Sequence, residues 1–154
     1  MIRSAFDSDA DGLAALWLQL NQTGERTDER YRLRHDADAV GHRLVAEHWL
    51  ANDDVQVVVA DDDGTLVGFV ATRPLGATTA RIVATGSFIT DLFVADSHRR
   101  QGIGTLLVTT VIDREIVASG QSLEVGTFAK DARAIAFWRS LGFDDWRVTL
   151  QRQV

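Results

Sequence analysis

The stretch that decides the fold is residues 89–105, which read ITDLFVADSHRRQGIGT. A β-rich run enters a turn that contains two glycines, and a helical pattern starts directly after it. The first N–H groups of a helix have no partner inside the helix, so they favour an anion in front of them. Gly102 and Gly104 allow a bulky phosphate to approach the backbone, and Arg99 and Arg100 add positive charge. The stretch therefore predicts a pyrophosphate-binding turn between a strand and a helix.

The two commonest phosphate-binding motifs do not fit this turn. A Walker A loop needs a lysine after its second glycine, and a dinucleotide fingerprint needs a third glycine where this chain has Leu107. The turn instead has the pattern Arg-x-x-Gly-x-Gly, which starts at Arg99. That pattern resembles the coenzyme-A-binding motif of the GNAT superfamily of acyl-CoA N-acyltransferases.

A second block of sequence strengthens the resemblance. Residues 131–143, DARAIAFWRSLGF, resemble the family's segment Asn-x-x-Ala-x-x-Phe-Tyr-x-x-x-Gly-Phe. Residues 90–94, TDLFV, are similar to the strand that precedes the motif in spermidine/spermine acetyltransferases and their relatives. The predicted order of elements also agrees, so the resemblance covers nearly the whole chain.

Hydrophobic periodicity and turn residues predict a mixed α/β sandwich with the order β-α-α-β-β-β-α-β-α-β. Strands are predicted at residues 2–6, 55–60, 66–71, 87–94, 123–127 and 148–150. Helices are predicted at residues 13–20, at 38–50, from Gly104 to before Gly120, and from Asp131 to Gly142. Residues 21–35 are predicted to be polar and irregular. The resemblance implies a GNAT-like fold, with a mixed sheet of six to seven strands flanked by about four helices, and we expect one domain over residues 1–154.

The resemblance also implies where the acyl donor binds. In the family the fourth strand carries a bulge and splays from the fifth, which leaves a V-shaped cleft for the pantetheine arm of acetyl-CoA. The pyrophosphate would lie on the N–H groups of residues 100–105. The residues expected to contact coenzyme A are Leu92, Phe93, Val94, Arg99, Arg100, Gln101, Gly102, Ile103, Gly104, Thr105, Asp131, Ala134, Phe137 and Trp138.

Acyl transfer to an amine needs a group that removes a proton, because only the neutral amine attacks and a lysine-like amine has a pKa of about 10.4. Asp91 on the fourth strand is the first candidate for this base, and Glu124 on the fifth strand is the second. A strand N–H near Val94 is placed to stabilise the charge that develops on the thioester oxygen.

Two residues depart from the family pattern. The family's frequent tyrosine, often the general acid, is Trp138 here, and an indole N–H is a hydrogen-bond donor but not a useful proton source. Water could serve as the acid, or the step could need none, since a cysteine-like thiol has a pKa of only about 8.5. The family's asparagine at the start of the second block is Asp131, which can still cap a helix.

The function predicted from this resemblance is transfer of an acetyl group from acetyl-CoA to a primary amine of a small molecule, by direct attack on the thioester. The alternatives are acetylation of a protein or peptide N-terminus or lysine, and a non-catalytic acyl-CoA-binding module. The polar stretch 24–36, with Tyr31, could form a wall of the acceptor pocket where Glu25, Asp28 and Glu29 meet a cation. The same stretch could equally be a solvated loop.

Composition limits the other classes of function. The net charge of −6 is opposite to that of a typical nucleic-acid-binding domain, so no nucleic-acid partner is expected. No apolar run is long enough to span a membrane, and the chain has no cysteine for disulfides or thiolate metal sites. The four histidines form no i, i+4 ligand pair, so no metal is predicted. We expect a cytoplasmic protein, and a homodimer because dimers are common in the family.

Overall fold

The computed structural model describes residues 1–75, 86–117 and 122–152. These residues form one sheet of five strands in the order β1-β2-β3-β4-β5. The strands are β1 (Ile2–Ser4), β2 (Gln56–Asp62), β3 (Thr65–Pro74), β4 (Gly86–Val94) and β5 (Ser122–Val125). Neighbours from β1 to β4 are antiparallel, and β4 pairs with β5 in parallel. A parallel pair needs a crossover connection, and the third helix begins it.

Four helices of the described residues cover the two faces of the sheet. They are α1 (Ala10–Thr27), α2 (Ala37–Arg43), α3 (Ile103–Val117) and α4 (Ala132–Ser140). The helix α2 continues as a π-helical turn over Leu44–Leu50, and short 3₁₀ turns lie at Asp7–Asp9 and Asp96–His98. Within the described parts of the chain, no helix combines the length and the apolar character that crossing a bilayer requires.

The sheet separates two hydrophobic cores because its strands alternate inward-facing residues between the two faces. On one face, Leu13 of α1 and Trp49 pack with Phe69 of β3. On the other face, Leu107 of α3 packs with Val70 of the same strand. Continuous apolar runs in β2 and β3 are therefore buried on both sides, as expected for central strands.

The structure confirms the predicted mixed α/β class, the GNAT-like arrangement and the β2–β3 hairpin. Asp63 and Gly64 adopt positive φ angles of 49° and 86° in the hairpin turn, which is the conformation that joins tightly paired strands. The described residues form five strands rather than six to seven. The strand predicted at residues 148–150 is wrong, because Val148 and Leu150 are 84% and 90% exposed and the segment pairs with no described strand.

The prediction that residues 21–35 are irregular is wrong for residues 21–27, because α1 continues to Thr27. Polar side chains in this part bond to the helix itself. The hydroxyl groups of Thr23 and Thr27 donate to the carbonyls of Gln19 and Thr23, at 3.0 Å in each case. The hydroxyls thus find acceptors within the helix itself, so these polar residues are compatible with a helix here.

Candidate active site

The pairing of β4 with β5 ends next to a bulge in β4. Ala71 lies opposite Asp91, but the next residue of β3, Thr72, lies opposite Ile89, so Thr90 is the extra residue. The register between β4 and β5 ends at the pair Ile89 and Val125. β5 ends at that pair whereas β4 continues to Val94, and the cleft is lined by residues 89–94 on one side and residues 125–128 on the other. This agrees with the bulged fourth strand and the V-shaped cleft that the resemblance implies.

The cleft has a volume of about 1100 Å³ and runs from the turn before α3 to the C-terminal half of α1. It collects almost all of the residues predicted to contact coenzyme A. Those that line it are Leu92, Phe93, Val94, Arg99, Arg100, Gly102, Ile103, Gly104, Thr105, Asp131, Ala134, Phe137 and Trp138. Gln101 does not line the cleft, and its amide nitrogen instead donates to the carbonyl of Ser97 at 3.4 Å.

The turn before α3 presents backbone N–H groups to the cleft. Its backbone is left-handed at Arg100 and Gly102, with φ angles of 66° and 80°. The N–H of Leu106 donates to the carbonyl of Gly102 at 3.0 Å, which is the start of the helical bonding pattern. The amides of residues 103–105 therefore lie in the first turn, where an N–H has no helical partner. This arrangement suits an anion such as a pyrophosphate.

Arg99 holds the end of β4 rather than projecting freely from the turn. Its Nε donates to the carbonyl of Val94 at 2.9 Å, and its Nη2 lies 2.9 Å from a carboxylate oxygen of Asp96. Its guanidinium carbon lies 5.4 Å from the centre of the Phe93 ring. Arg99 thus fixes the strand end against the turn, whereas Arg100 is exposed at the rim of the cleft.

The backbone of Val94 faces the cleft. The N–H of Ala95 donates to the carbonyl of Val67 on β3 at 2.8 Å. Consecutive residues of a strand direct their hydrogen-bonding groups to opposite sides, so the N–H and carbonyl of Val94 lie on the side away from β3. The bond from Arg99 to the Val94 carbonyl agrees with this direction.

The structure treats the two candidate bases differently. Asp91 lines the cleft just after the bulge, and burial raises the pKa of its carboxyl above the ordinary 3.8, although a hydrogen bond from Thr90 acts in the opposite direction. Glu124 does not line the cleft and pairs with the guanidinium of Arg147 at 2.5 Å. Only Asp91 is therefore placed to meet a substrate in the cleft.

The helix α4 forms the wall opposite the turn. Asp131 caps this helix, as predicted, because its Oδ1 accepts a hydrogen bond from the N–H of Ala134 at 2.9 Å. Phe137 lies over the start of α3, where a Cβ on Gly104 would come 3.5 Å from its ring. Trp138 is buried, and its ring lies 5.1 Å from that of Phe137 and 5.2 Å from that of Phe143.

Three residues at the far end of the cleft were given no firm role by the sequence. The hydroxyl of Tyr31 donates to Oδ1 of Asn21 at 2.9 Å, and the Tyr31 ring packs edge-on against Phe128 with centroids 5.1 Å apart. Burial and the charge of Asp91 raise the pKa of Tyr31. The sequence signal that could have indicated this cluster is Asn21, a single polar residue in the otherwise apolar repeat of α1.

Asp28, one of the acidic residues in the stretch 24–36, already binds cationic side chains of the protein. Its carboxylate is 4% exposed and is bound by the guanidinium of Arg30 through two hydrogen bonds of 2.5 and 2.9 Å. Lys130 adds a contact of 3.8 Å from the other side of the cleft. Asp28 therefore ties the segment after α1 to the loop before α4. Among the described residues, no cluster of three or more His, Cys, Asp or Glu side chains could hold a metal ion.

Comparison with known proteins agrees with this geometry. The sequence model of the acetyltransferase (GNAT) family matches residues 15–143. The chain belongs to the GNAT acetyltransferase family. The chain is 29% identical over 143 residues to the peptidyl-lysine N-acetyltransferase YiaC of Escherichia coli K12. This alignment covers 93% of this chain and 82% of YiaC.

Solved structures of other proteins share the fold. A mutant of the BH1408 protein from Bacillus halodurans superposes with a TM-score of 0.83 at 19% identity, covering 100% of this chain and 99% of that one. The aminoglycoside acetyltransferase AAC(6')-Iy, solved with a bisubstrate analogue that contains coenzyme A, gives a TM-score of 0.73 at 20% identity, covering 100% and 97%. These structures therefore show the fold, and the match to the family model gives the acetyltransferase class.

Proposed function

We propose that this GNAT acetyltransferase moves an acetyl group from acetyl-CoA to a primary amine by direct attack of the amine on the thioester. The observation that carries the proposal is the position of Asp91, which lines the cleft beside the β4 bulge, further along β4 from the turn before α3. With the pantetheine arm of acetyl-CoA lying along β4, a base at this position is next to the thioester, where the amine attacks. The amides of residues 103–105 supply the anchor for the pyrophosphate at the other end.

Each step of the reaction is assigned to a different group in the cleft. Asp91 takes the proton of the attacking ammonium, and its raised pKa brings it closer to the pH at which a general base is efficient. The N–H of Val94 is available to the oxygen that gains charge as the new carbon–nitrogen bond forms. The carbon–sulfur bond breaks and the sulfur leaves as a thiolate. Water carries the second proton of the attacking nitrogen to this thiolate, since Trp138 stands where the family usually has tyrosine.

For the acceptor we propose a small-molecule primary amine. The contact between Tyr31 and Phe128 joins the segment after α1 to the loop after β5, which closes one side of the acceptor end and favours a slender substrate. Protein lysine is the second candidate, because the relative YiaC is a peptidyl-lysine acetyltransferase.

The function is tested by mass spectrometry of products after incubation with acetyl-CoA. The amines are an alkyl monoamine, spermidine, neamine, a peptide with one internal lysine and a blocked N-terminus, and a peptide with a free N-terminus and no lysine. We expect acetylation of at least one primary amine at more than about 10³ times the rate without enzyme. Acetylation of none, with acetyl-CoA bound, would instead support a binding module.

We also propose a homodimer built through the C-terminal segment. Trp146, Val148 and Leu150 are 68%, 84% and 90% exposed, and they alternate as in a strand. Changing Val148 and Leu150 together to Asp is expected to convert a dimer into a monomer in analytical ultracentrifugation. Phe6→Asp is the matched control, because Phe6 is also apolar and exposed, and it should leave the dimer intact. A wild-type monomer at micromolar concentration would contradict the proposal.

A further inference from the structure

We infer that Tyr31, oriented by Asn21, acts with Asp91 to receive one substrate ammonium group, so that the acceptor carries a single isolated amine on a slender apolar stem. This inference rests on the proposed function, because it specifies the acceptor of that same cleft. It applies equally to a lysine side chain and to a free alkyl monoamine, which offer the same chemistry. It excludes polycations as preferred substrates.

The hydrogen bonds of Asn21 fix the direction of the tyrosine proton. Asn21 is buried, and its Nδ2 donates to the carbonyl of Trp17 at 2.8 Å. Its Oδ1 therefore faces the hydroxyl of Tyr31 and accepts a hydrogen bond from it at 2.9 Å. A hydroxyl has one proton to donate and two lone pairs. Because the proton is used on Asn21, the Tyr31 oxygen offers lone pairs, which an ammonium can use and an anion cannot.

The position of the Tyr31 ring is fixed by packing on several sides. A Cβ on Gly24 would lie 2.9 Å from Cδ1 of Tyr31, so the ring rests directly on the helix backbone. The ring also contacts Phe128 across the cleft, and the N–H of Tyr31 donates to the carbonyl of Asp28 at 2.9 Å. The hydroxyl is thus held in place before a substrate arrives, which limits the ordering cost of binding.

The charges around the cleft favour one ammonium over several. Among the described residues that line it, the carboxylates are Asp91 and Asp131, and Asp131 is used on the cap of α4. Asp28, which lies nearby, is neutralised by Arg30. The cationic or potentially cationic lining residues are His98, Arg99, Arg100 and Arg133. His98, Arg99 and Arg100 belong to the turn before α3, at the other end of the cleft. At the acceptor end a polycation would therefore find one available carboxylate for its several ammonium groups.

The surroundings of Asp91 and Tyr31 define the stem of the substrate. Leu20 and the rings of Tyr31 and Phe128 line this end of the cleft. An alkyl chain behind the ammonium can bury its apolar surface against them, and an aminoglycoside with hydroxyl groups on every side cannot. The site therefore combines two acceptors for one cation with an apolar wall behind it.

The test is steady-state kinetics of Tyr31→Phe, which removes the hydroxyl and keeps the ring. The amines are an alkyl monoamine, a blocked peptide with one lysine, spermidine and neamine. For the wild type we expect a kcat/KM at least about 10-fold higher for the better single amine than for either polyamine. For Tyr31→Phe we expect the KM for that amine to rise about 10- to 100-fold, as for a lost hydrogen bond to a charged group, with kcat changed less than about 3-fold.

The matched control is Thr109→Val, which also removes a hydroxyl that bonds within the protein, here to the carbonyl of Thr105 at 2.9 Å, but outside the cleft. Its KM should equal that of the wild type, and both variants should bind acetyl-CoA normally. A preference for polyamines, or an unchanged KM in Tyr31→Phe, would overturn the inference and leave the proposed function standing. Acetylation of no amine by the wild type would overturn both. The relative rates with the monoamine and the peptide separate the two sources of a single amine.

Discussion

Replacing Asp91 by asparagine is expected to lower kcat by about 10²- to 10⁴-fold, which is the usual contribution of a general base. The asparagine side chain has nearly the same shape, so it removes the proton acceptor without opening a cavity. Affinity for acetyl-CoA should stay within about 2-fold, because the amides of residues 103–105 bind the other end of the donor. Stopped-flow or coupled thiol-release assays measure kcat, and calorimetry measures donor binding.

The pH dependence gives an independent measurement of the same role. Burial raises the pKa of Asp91, and the carboxyl acts as a base only when ionised. The rate should therefore fall as the pH is lowered through that pKa, with a limb above the ordinary carboxyl value of 3.8. In Asp91→Asn this limb should disappear from the profile of kcat/KM.

The alternative base and the stability of the variant separate catalysis from folding. Glu124→Gln should retain kcat within about 3-fold, because Glu124 lies outside the cleft lining and pairs with Arg147. A raised folded-state pKa means that the fold loses stability as the pH rises through it, so Asp91→Asn should melt at the wild-type temperature or above at pH 7. Loss of activity in Glu124→Gln with Asp91→Asn fully active would reverse the assignment.

The second large effect is expected from Gly102→Glu, which should weaken acetyl-CoA binding by more than about 100-fold. Gly102 has a φ of 80°, so a side chain at this position strains the backbone. It also lies directly before the first turn of α3, next to the amides that are proposed to bind the pyrophosphate. A carboxylate beside them competes with the phosphate and repels it. Isothermal titration calorimetry with acetyl-CoA measures the change.

Gly64→Glu is the matched control for this variant. Gly64 has a φ of 86°, and a Cβ there, as on Gly102, meets no atom within 4 Å. It lies in the β2–β3 hairpin turn and does not line the cleft. The two variants therefore share the backbone strain, and only Gly102→Glu should lose binding. Equal loss in both, or normal binding by a folded Gly102→Glu, would show that the donor does not bind at this turn.

The sequence is informative about the coenzyme half of the cleft because the signals there are local. The strand end at Val94, the turn and the start of α3 are consecutive, so residues 89–105 determine their own geometry. The capping of α4 by Asp131 is equally local, since donor and acceptor are three residues apart. The bulge at Thr90 is different, because its position depends on the register with β3 and was implied only by the resemblance.

The acceptor half of the cleft could not be predicted in the same way. Asn21, Tyr31, Asp91 and Phe128 are far apart in the chain and meet only through the packing of α1 against the sheet. The helical extension of α1 to Thr27 consists largely of polar residues, whose hydroxyls bond to carbonyls of the same helix, so hydrophobic periodicity does not register it. At residues 148–150 a strand was predicted where none forms. Alternation of apolar residues leads to a strand only where a neighbouring strand is present to pair with it.

Gly24 lowers the stability of α1 and also makes room for the ring of Tyr31. A glycine inside a helix lowers stability by about 1 kcal/mol relative to alanine. In α1 the missing methyl group provides the space for the Tyr31 ring, which would otherwise have to move toward the cleft. A programme of thermostabilisation that replaces helical glycines by alanine would therefore shift the acceptor pocket at this position. The helix thus gives up stability at a point where it shapes the acceptor pocket.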